Sequence, residues 1–146
     1  MTPDPRLCLA LDTAHLADAR ALVERTRHVF GVYKIGLQLH CAAGRAAIDA
    51  VRAAGGQRIF LDLKLHDIPQ TVAGAVAALA DLGVDLLTVH LAGGRKMLDA
   101  ARRAAVAGPK LLGVTVLTSL DAAALAQTGI DRPLAEVAAA RAALAV

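Results

Sequence analysis

The residues with the clearest capacity for chemistry are Asp62, Lys64 and Asp67, which follow an apolar run of the chain. If residues 58–65 form a strand, side-chain alternation puts Asp62 and Lys64 on one face together with Phe60. A carboxylate and an ammonium inside a packed fold must pair or lose their charges. Asp67 follows the strand end, so we expect the Lys64 ammonium to sit between two acids and to remain charged. These residues alone are also compatible with a purely structural ion pair.

The composition describes one domain with an apolar core and a mild positive charge. The chain has 146 residues, of which 56% are hydrophobic, and a net charge of +3 with no basic run. This balance argues against nucleic-acid binding and suits a small anionic substrate. Cys8 and Cys41 lack metal-ligand spacing, so we expect Cys8 to be a small buried hydrophobe in a reduced, cytoplasmic protein. Neither a signal peptide nor a membrane-spanning stretch is expected, which excludes a membrane partner.

A short apolar strand followed by an amphipathic helix recurs along the chain. Thr13 is predicted to cap the first helix, and Pro69 suits the first turn of the helix after the third strand. This alternation favours parallel βαβ units with right-handed crossovers and no antiparallel hairpins. The predicted strands are 7–12, 33–39, 58–65, 85–91 and 110–117, and the predicted helices are 14–29, 44–54, 69–82, 95–106, 122–127 and 134–144.

Polar residues lie at or near the ends of most predicted strands, among them Asp12, Lys34 and His90. The carboxyl ends of parallel strands open onto one face, so these side chains should converge there. The turn after the first strand is not rich in glycine, which favours a (β/α) barrel over a doubly wound sheet. A complete barrel takes about 250 residues. We therefore expect one incomplete TIM-barrel domain over residues 6–146, preceded by a short extension over residues 1–5, as the N-terminal part of a longer protein.

The sequence of residues 62–71, DLKLHDIPQT, resembles the DxKxxDIPxT signature of the orotidine 5'-phosphate decarboxylase family. Segments 9–12, 34–36, 89–94 and 116–119 agree with the family in order and spacing. The resemblance implies a TIM (β/α)8 barrel whose first five units are present. It also implies a homodimer with shared active sites that converts orotidine 5'-phosphate to UMP in pyrimidine biosynthesis, without a cofactor or metal.

The resemblance also assigns roles to individual residues. Lys64 matches the lysine that protonates C6 of the pyrimidine, and Asp62 matches the acid beside the substrate carboxylate. Asp67 belongs to the same charge array but reaches the partner subunit's site, and Asp12 and Lys34 contact the ribose. The implied substrate-binding set is Asp12, Lys34, Asp62, Leu63, Lys64, Leu65, His66, Asp67, Ile68, Pro69, Gln70, Thr71 and Thr118, where Thr118 matches a residue that binds the pyrimidine-nucleotide moiety.

Two other functions remain open from the sequence. Magnesium-dependent sugar-phosphate enzymes of the same superfamily share an Asp-x-Lys-x-x-Asp strand, but they carry an acid where this chain has Lys34. An inactive barrel fragment is the second alternative, because residues 120–146 contain no match to the family's phosphate-binding residues. The histidines receive simpler interpretations: His66 is predicted to pack locally, and His90 to fill the barrel interior with a hydrogen bond.

Overall fold

A computed structural model describes residues 2–145 as one parallel sheet covered by helices. Met1, in the expected extension, and Val146, at the expected domain end, lie outside the described residues. The strands are β1 (Asp4–Ala10), β2 (Phe30–Gly36), β3 (Arg58–Leu65), β4 (Leu86–His90) and β5 (Lys110–Val114). The α-helices are α1 (Leu16–Thr26), α2 (Leu37–Ala43), α3 (Arg45–Ala53), α4 (Pro69–Ala80), α5 (Gly94–Ala104), α6 (Ala122–Gln127) and α7 (Leu134–Ala142).

The sheet has the order β1-β2-β3-β4-β5, and each of its four pairings is parallel. Strands adjacent in sequence are therefore adjacent in space, with helices between them, as in the first five units of a (β/α) barrel. The predicted fold class is confirmed, and within residues 2–145 the strands form no antiparallel hairpin.

The core lies between the outer face of the sheet and the helices. Tyr33 and Ile35 on β2 and Ile59 and Leu61 on β3 are each fully buried on this face. Alternation along the strands turns the intervening residues towards the barrel interior. The helices contribute mainly β-branched and small side chains to the same core cluster, among them Ala19, Val23, Ile48, Val51, Val72 and Val76.

The sequence-based boundaries were accurate for β3 and less accurate elsewhere. The prediction of strand over residues 37–39 is wrong, because β2 ends at Gly36 and Leu37–Ala43 forms helix α2. Leu39 and Ala43 stand one helical turn apart and both pack on the core, which favours a helix there. β5 likewise ends at Val114, three residues before its predicted end.

The first βα connection also differs from its prediction. β1 begins at Asp4 and ends at Ala10, so Asp12 lies beyond the strand rather than at its last position. Helix α1 begins at Leu16, and its N-cap residue is His15, without a side-chain cap. Thr13 Oγ1 instead accepts a hydrogen bond from the His15 backbone N–H at 3.1 Å. The threonine therefore orders the turn before the helix rather than capping the helix itself.

Cys8 is exposed, so its predicted burial is wrong. It lies on β1 next to Leu9, which packs against the core, and alternation turns Cys8 to the opposite face. Helices do not cover that face, and β1 has a strand neighbour on one side only. Cys41 is also a free, exposed thiol. The helices of the described chain are all too short or too polar to cross a membrane.

We predict that a polypeptide restricted to residues 1–146 self-associates, because the outer edges of β1 and β5 carry unpaired backbone groups that can pair with another chain. Leu112 lies exposed on β5, and Leu112→Lys should lower the association state by placing a charge at the edge. Val106→Lys adds the same charge at an exposed turn outside the sheet and should have little effect. Light scattering coupled to size-exclusion chromatography measures the difference. A soluble monomer with one cooperative unfolding transition would contradict the prediction.

Candidate active site at the carboxyl ends of the strands

Three neighbouring strands bring the predicted charged residues to one edge of the sheet. Asp12 follows β1, Lys34 lies on β2, and Asp62 lies on β3. Gly36 is the register partner of Asp62, so Lys34 stands two residues before the point on β2 that lies opposite this acid. Lys34 and Asp62 occupy the inner face of the sheet, because their strand neighbours Ile35 and Leu61 are buried on the helix side.

The four side chains form an array in which acids and ammonium groups alternate. Lys64 Nζ lies 2.8 Å from Asp62 Oδ1, and Lys34 Nζ lies 3.5 Å from Asp62 Oδ2. Lys34 Nζ also lies 3.4 Å from Asp12 Oδ1. The predicted pairing of Asp62 with Lys64 is confirmed, and the same acid connects Lys64 to Lys34.

Asp62 is the most enclosed member of the array: its side chain is 15% exposed, whereas that of Asp12 is 72% exposed. Burial opposes ionisation of Asp62, but the hydrogen bond and positive charge of Lys64, a hydrogen bond from Thr88 and the charge of Lys34 outweigh it. The pKa of Asp62 therefore lies below its ordinary value. The site holds a carboxylate that stays ionised.

Regular strand alternation does not by itself explain how Lys64 reaches Asp62. Lys64 has φ of +51°, in the left-handed region, and is the sole described residue other than glycine with positive φ. The β3–β4 register is interrupted at the same place, because Leu61 pairs with Leu87 and Leu65 with Val89. Four steps along β3 thus match two along β4, so the lysine lies in an irregular turn of the strand.

Thr88 is a member of the site that the sequence reasoning missed. It lies on β4 and is 5% exposed, so its hydroxyl is buried. Its hydroxyl contacts both Asp62 and the backbone N–H of Lys64. The available signal was a single hydroxyl in the apolar strand LLTVH, at the same alternation parity as His90.

Asp67 stands apart from the array within one chain. The ion pair of Lys64 in the described structure is with Asp62, so the prediction that two acids flank this lysine is wrong for a single subunit. Asp67 Oδ1 instead accepts a hydrogen bond from the Ile68 backbone N–H at 2.6 Å. The strand ends at Leu65, which carries Asp67 past the edge of the sheet.

The remaining predicted site residues fall into two groups. Leu63 and Leu65 are half-buried and pack against the core, between and beyond the charged residues of β3. The second group is exposed. Six of its members lie in the segment that leads from β3 into α4, namely His66, Asp67, Ile68, Pro69, Gln70 and Thr71, and Thr118 lies in the turn after β5.

His66 and His90 contact each other across the ends of β3 and β4. Their ring centroids are 5.3 Å apart and the rings are tilted by 43°. The predicted local packing of His66 is confirmed, and His90 makes this ring contact in place of the side-chain hydrogen bond predicted for it. Burial, followed by the electrostatic effect of the neighbouring His66, Lys64 and Arg141, lowers the pKa of His90. A neutral His90 therefore borders the lysine end of the array.

No three histidine, cysteine or acidic side chains among residues 2–145 converge closely enough to hold a metal ion. The positions that could neutralise the acids of the array are instead occupied by Lys34 and Lys64.

Comparison with known proteins gives the same family as the signature. The curated orotidine 5'-phosphate decarboxylase of Anaeromyxobacter sp. (strain K) is 50% identical over 133 residues, which cover 91% of this chain and 58% of that protein. The one from Moorella thermoacetica is 49% identical over 140 residues, covering 90% of this chain and 55% of that protein. The chain thus spans little more than half the length of these relatives.

The fold agrees with a solved structure of the same family. The crystal structure of orotidine 5'-phosphate decarboxylase from Lactobacillus acidophilus superposes with a TM-score of 0.86 at 35% identity, covering 97% of this chain and 67% of that one. The model of the orotidine 5'-phosphate decarboxylase / HUMPS family matches residues 5–146. The charge array therefore lies in a chain that belongs to the orotidine 5'-phosphate decarboxylase / HUMPS family.

Proposed function

We propose that the barrel containing this chain decarboxylates orotidine 5'-phosphate to UMP, the closing step of pyrimidine nucleotide synthesis, in the cytoplasm. The observation that carries the proposal is the array Lys64–Asp62–Lys34–Asp12, with contacts of 2.8, 3.5 and 3.4 Å, at the carboxyl ends of three parallel strands. In barrels of this type, reactions take place at that face.

Lys64 supplies the ammonium group that stabilises the negative charge formed in this reaction and provides the proton. When the bond between C6 and the carboxylate breaks, the electron pair stays on C6 as carbon dioxide leaves. A preorganised ammonium stabilises the developing negative charge and then donates its proton to C6. Asp62, at 2.8 Å, limits where the ammonium of this lysine can lie. No cofactor is needed for this sequence of steps.

The other residues of the signature hold the substrate around this lysine. We assign Asp62 to the side of the substrate carboxylate, Asp12 and Lys34 to the ribose hydroxyls, and Thr118 to the pyrimidine nucleotide. Asp12 is the most exposed acid of the array, which suits a group that a ligand must reach. His66, Pro69 and Gln70 are exposed along the same rim, next in sequence to Leu63 and Leu65, which pack against the core.

The active form is proposed to be a homodimer in which residues 66–71 complete the partner's site. Asp67, Ile68 and Thr71 are exposed beyond the end of β3. Ile68 is 65% exposed, a large apolar side chain that a subunit interface would cover. Asp67 from one subunit could thus add the second acid that Lys64 lacks within its own chain.

A magnesium-dependent reaction on a sugar phosphate is the second candidate, because enzymes of that kind share the Asp-x-Lys-x-x-Asp pattern formed here by Asp62, Lys64 and Asp67. Lys34 decides against it. Its ammonium lies within 3.5 Å of both Asp12 and Asp62, in the position where a cation shared by these acids would have to sit. A fixed positive charge there repels a divalent ion.

Removal of the Lys64 ammonium should lower turnover by more than about 100-fold, since general acid catalysis contributes roughly 10²- to 10⁴-fold. The test uses a completed barrel, in which this chain is joined to the carboxyl-terminal part of the Anaeromyxobacter relative. Lys64→Ala is compared with Lys110→Ala, an exposed lysine at the opposite end of the barrel, by the absorbance change of orotidine 5'-phosphate. Activity of Lys64→Ala within about tenfold of the parent would contradict the assignment. Loss of parental activity on treatment with a chelator would favour the magnesium-dependent candidate.

Two inactive variants of the completed barrel should restore activity when their subunits are mixed. Lys64→Ala loses the proton donor of its own site. Asp67→Ala loses the carboxylate that this residue contributes to the partner's site. A mixed dimer then contains one site with both defects and one intact site. Turnover measured after unfolding and refolding the two variants together should exceed that of either alone. Mixed dimers as inactive as their parents would rule out the shared site.

The low pKa of Asp62 predicts a measurable titration. Asp62 contributes stability that is present above the pKa of the unfolded state and lost as the pH falls through the lower pKa of the folded state. Lys34→Met removes one positive charge beside the carboxylate, so the Asp62 midpoint should rise in this variant and not in Lys110→Met. The carboxyl ¹³C shift of Asp62 in the completed barrel reports the midpoint. An unchanged midpoint in Lys34→Met would show that the lysine does not hold this acid ionised.

A further inference from the structure

Thr88 is a buried residue of β4. The sheet to which it belongs is apolar on its helix side and carries the charge array on its inner side. Its β4 neighbours Leu87 and Val89 are buried in the core, so alternation points Thr88 to the inner face beside the charge array. Its hydroxyl is shielded from water, because the residue is only 5% exposed. A buried hydroxyl is costly unless its hydrogen bonds are made.

The hydroxyl meets the backbone of Lys64 where the β3–β4 ladder is interrupted. Between the pairs Leu61–Leu87 and Leu65–Val89, one residue of β4, Thr88, lies opposite three residues of β3. The N–H of Lys64 donates to Thr88 Oγ1 at 2.8 Å, so a side chain supplies the acceptor at this irregularity. This hydrogen bond holds the lysine backbone at its φ of +51°. Residues other than glycine rarely adopt this conformation without support.

The same hydroxyl also fixes the carboxylate. Thr88 Oγ1 lies 3.1 Å from Asp62 Oδ1, the oxygen that accepts from Lys64 Nζ at 2.8 Å. An ionised carboxylate only accepts and a backbone N–H only donates, so the hydroxyl must donate to Asp62 and accept from Lys64. One side chain thereby determines both the backbone of the lysine and the position of its counter-ion.

We propose that Thr88 is a positioning residue for Lys64, holding the backbone of this lysine and the carboxylate of Asp62 in the relative geometry that proton delivery needs. The proposal rests on the decarboxylase function proposed above and extends it to a residue outside the signature. Thr88 acts through its two partners, the Lys64 backbone and the Asp62 carboxylate.

Valine has nearly the shape of threonine and lacks the hydroxyl, so Thr88→Val isolates this role. In the completed barrel we expect kcat to fall roughly 10- to 100-fold with KM nearly unchanged, because small misplacement of a catalytic group costs rate rather than binding. Thr88→Ser keeps the hydroxyl and should retain most of the parental kcat, whereas Thr88→Ala, of similar size, should lose as much as the valine variant. If Thr88→Val fails to fold, the difference in kcat between Thr88→Ser and Thr88→Ala tests the proposal.

Thr26→Val is the matched control. Thr26 also hydrogen-bonds through its hydroxyl, to Leu22 O at 2.6 Å and to Tyr33 OH at 3.1 Å, but it lies at the end of α1, before β2. This variant should lose stability without losing kcat. Equal kcat in Thr88→Val and the parent, or equal kcat in the serine and alanine variants, would overturn the proposal.

A second readout separates this proposal from the proposed function. The carboxyl ¹³C titration of Asp62 needs no turnover. The groups that face this acid are Lys64 on its own strand, the Cys8 thiol on β1, Lys34 on β2 and Thr88 on β4. The midpoint should rise in Thr88→Val and stay low in Thr88→Ser. If the parent barrel is inactive but the midpoint rises in this way, the decarboxylase assignment fails and the hydroxyl link remains. If the parent is active and the midpoint does not move, Thr88 does not hold Asp62.

Discussion

The carboxylate of Asp62 is the interaction on which the candidate site depends. Its Oδ1 receives Lys64 Nζ and the Thr88 hydroxyl, and its Oδ2 faces Lys34 Nζ. An ionised carboxylate has acceptor capacity for all of these donors, and it offers none in return. Donors from β2, β3 and β4 can therefore converge on one group without competing for it, which ties three strands together at their carboxyl ends.

This convergence is better understood as preparation for a charged reaction than as a source of fold stability. Two ammonium groups brought close together repel, and the carboxylate between them offsets that repulsion. The attraction within a partly buried ion pair offsets little more than the free energy of desolvating its two ions, so such pairs contribute weakly to the stability of a fold. The stability comes from the opposite face of the sheet, where Ile35, Leu61 and their neighbours are fully buried against the helices. One face of each strand thus stabilises the fold while the other carries the charges.

The sequence by itself determined the fold class, the extent of β3 and the pairing of Asp62 with Lys64. These follow from local information, since hydrophobic period reports secondary structure and opposite charges in an apolar strand must pair. The ten-residue signature added the family, which the matches to known relatives confirm. Local information failed where a short apolar segment is compatible with both a strand and a helix, as in Leu37–Ala43. This segment is a helix because Leu39 and Ala43 then pack on the core together.

Only the tertiary structure decided how the lysine is held. Simple alternation along β3 suggested that Lys64 reaches Asp62 because the two residues share a face, but the strand is irregular at Lys64, and a hydroxyl from β4 supports it. Asp67, which the sequence placed beside the lysine, lies past the strand end with its carboxylate on the Ile68 N–H. The support of Lys64 by Thr88 depends on the register between β3 and β4, whereas Asp67 makes its contact within its own turn. That register is set by packing of the whole sheet, and no local pattern of residues contains it.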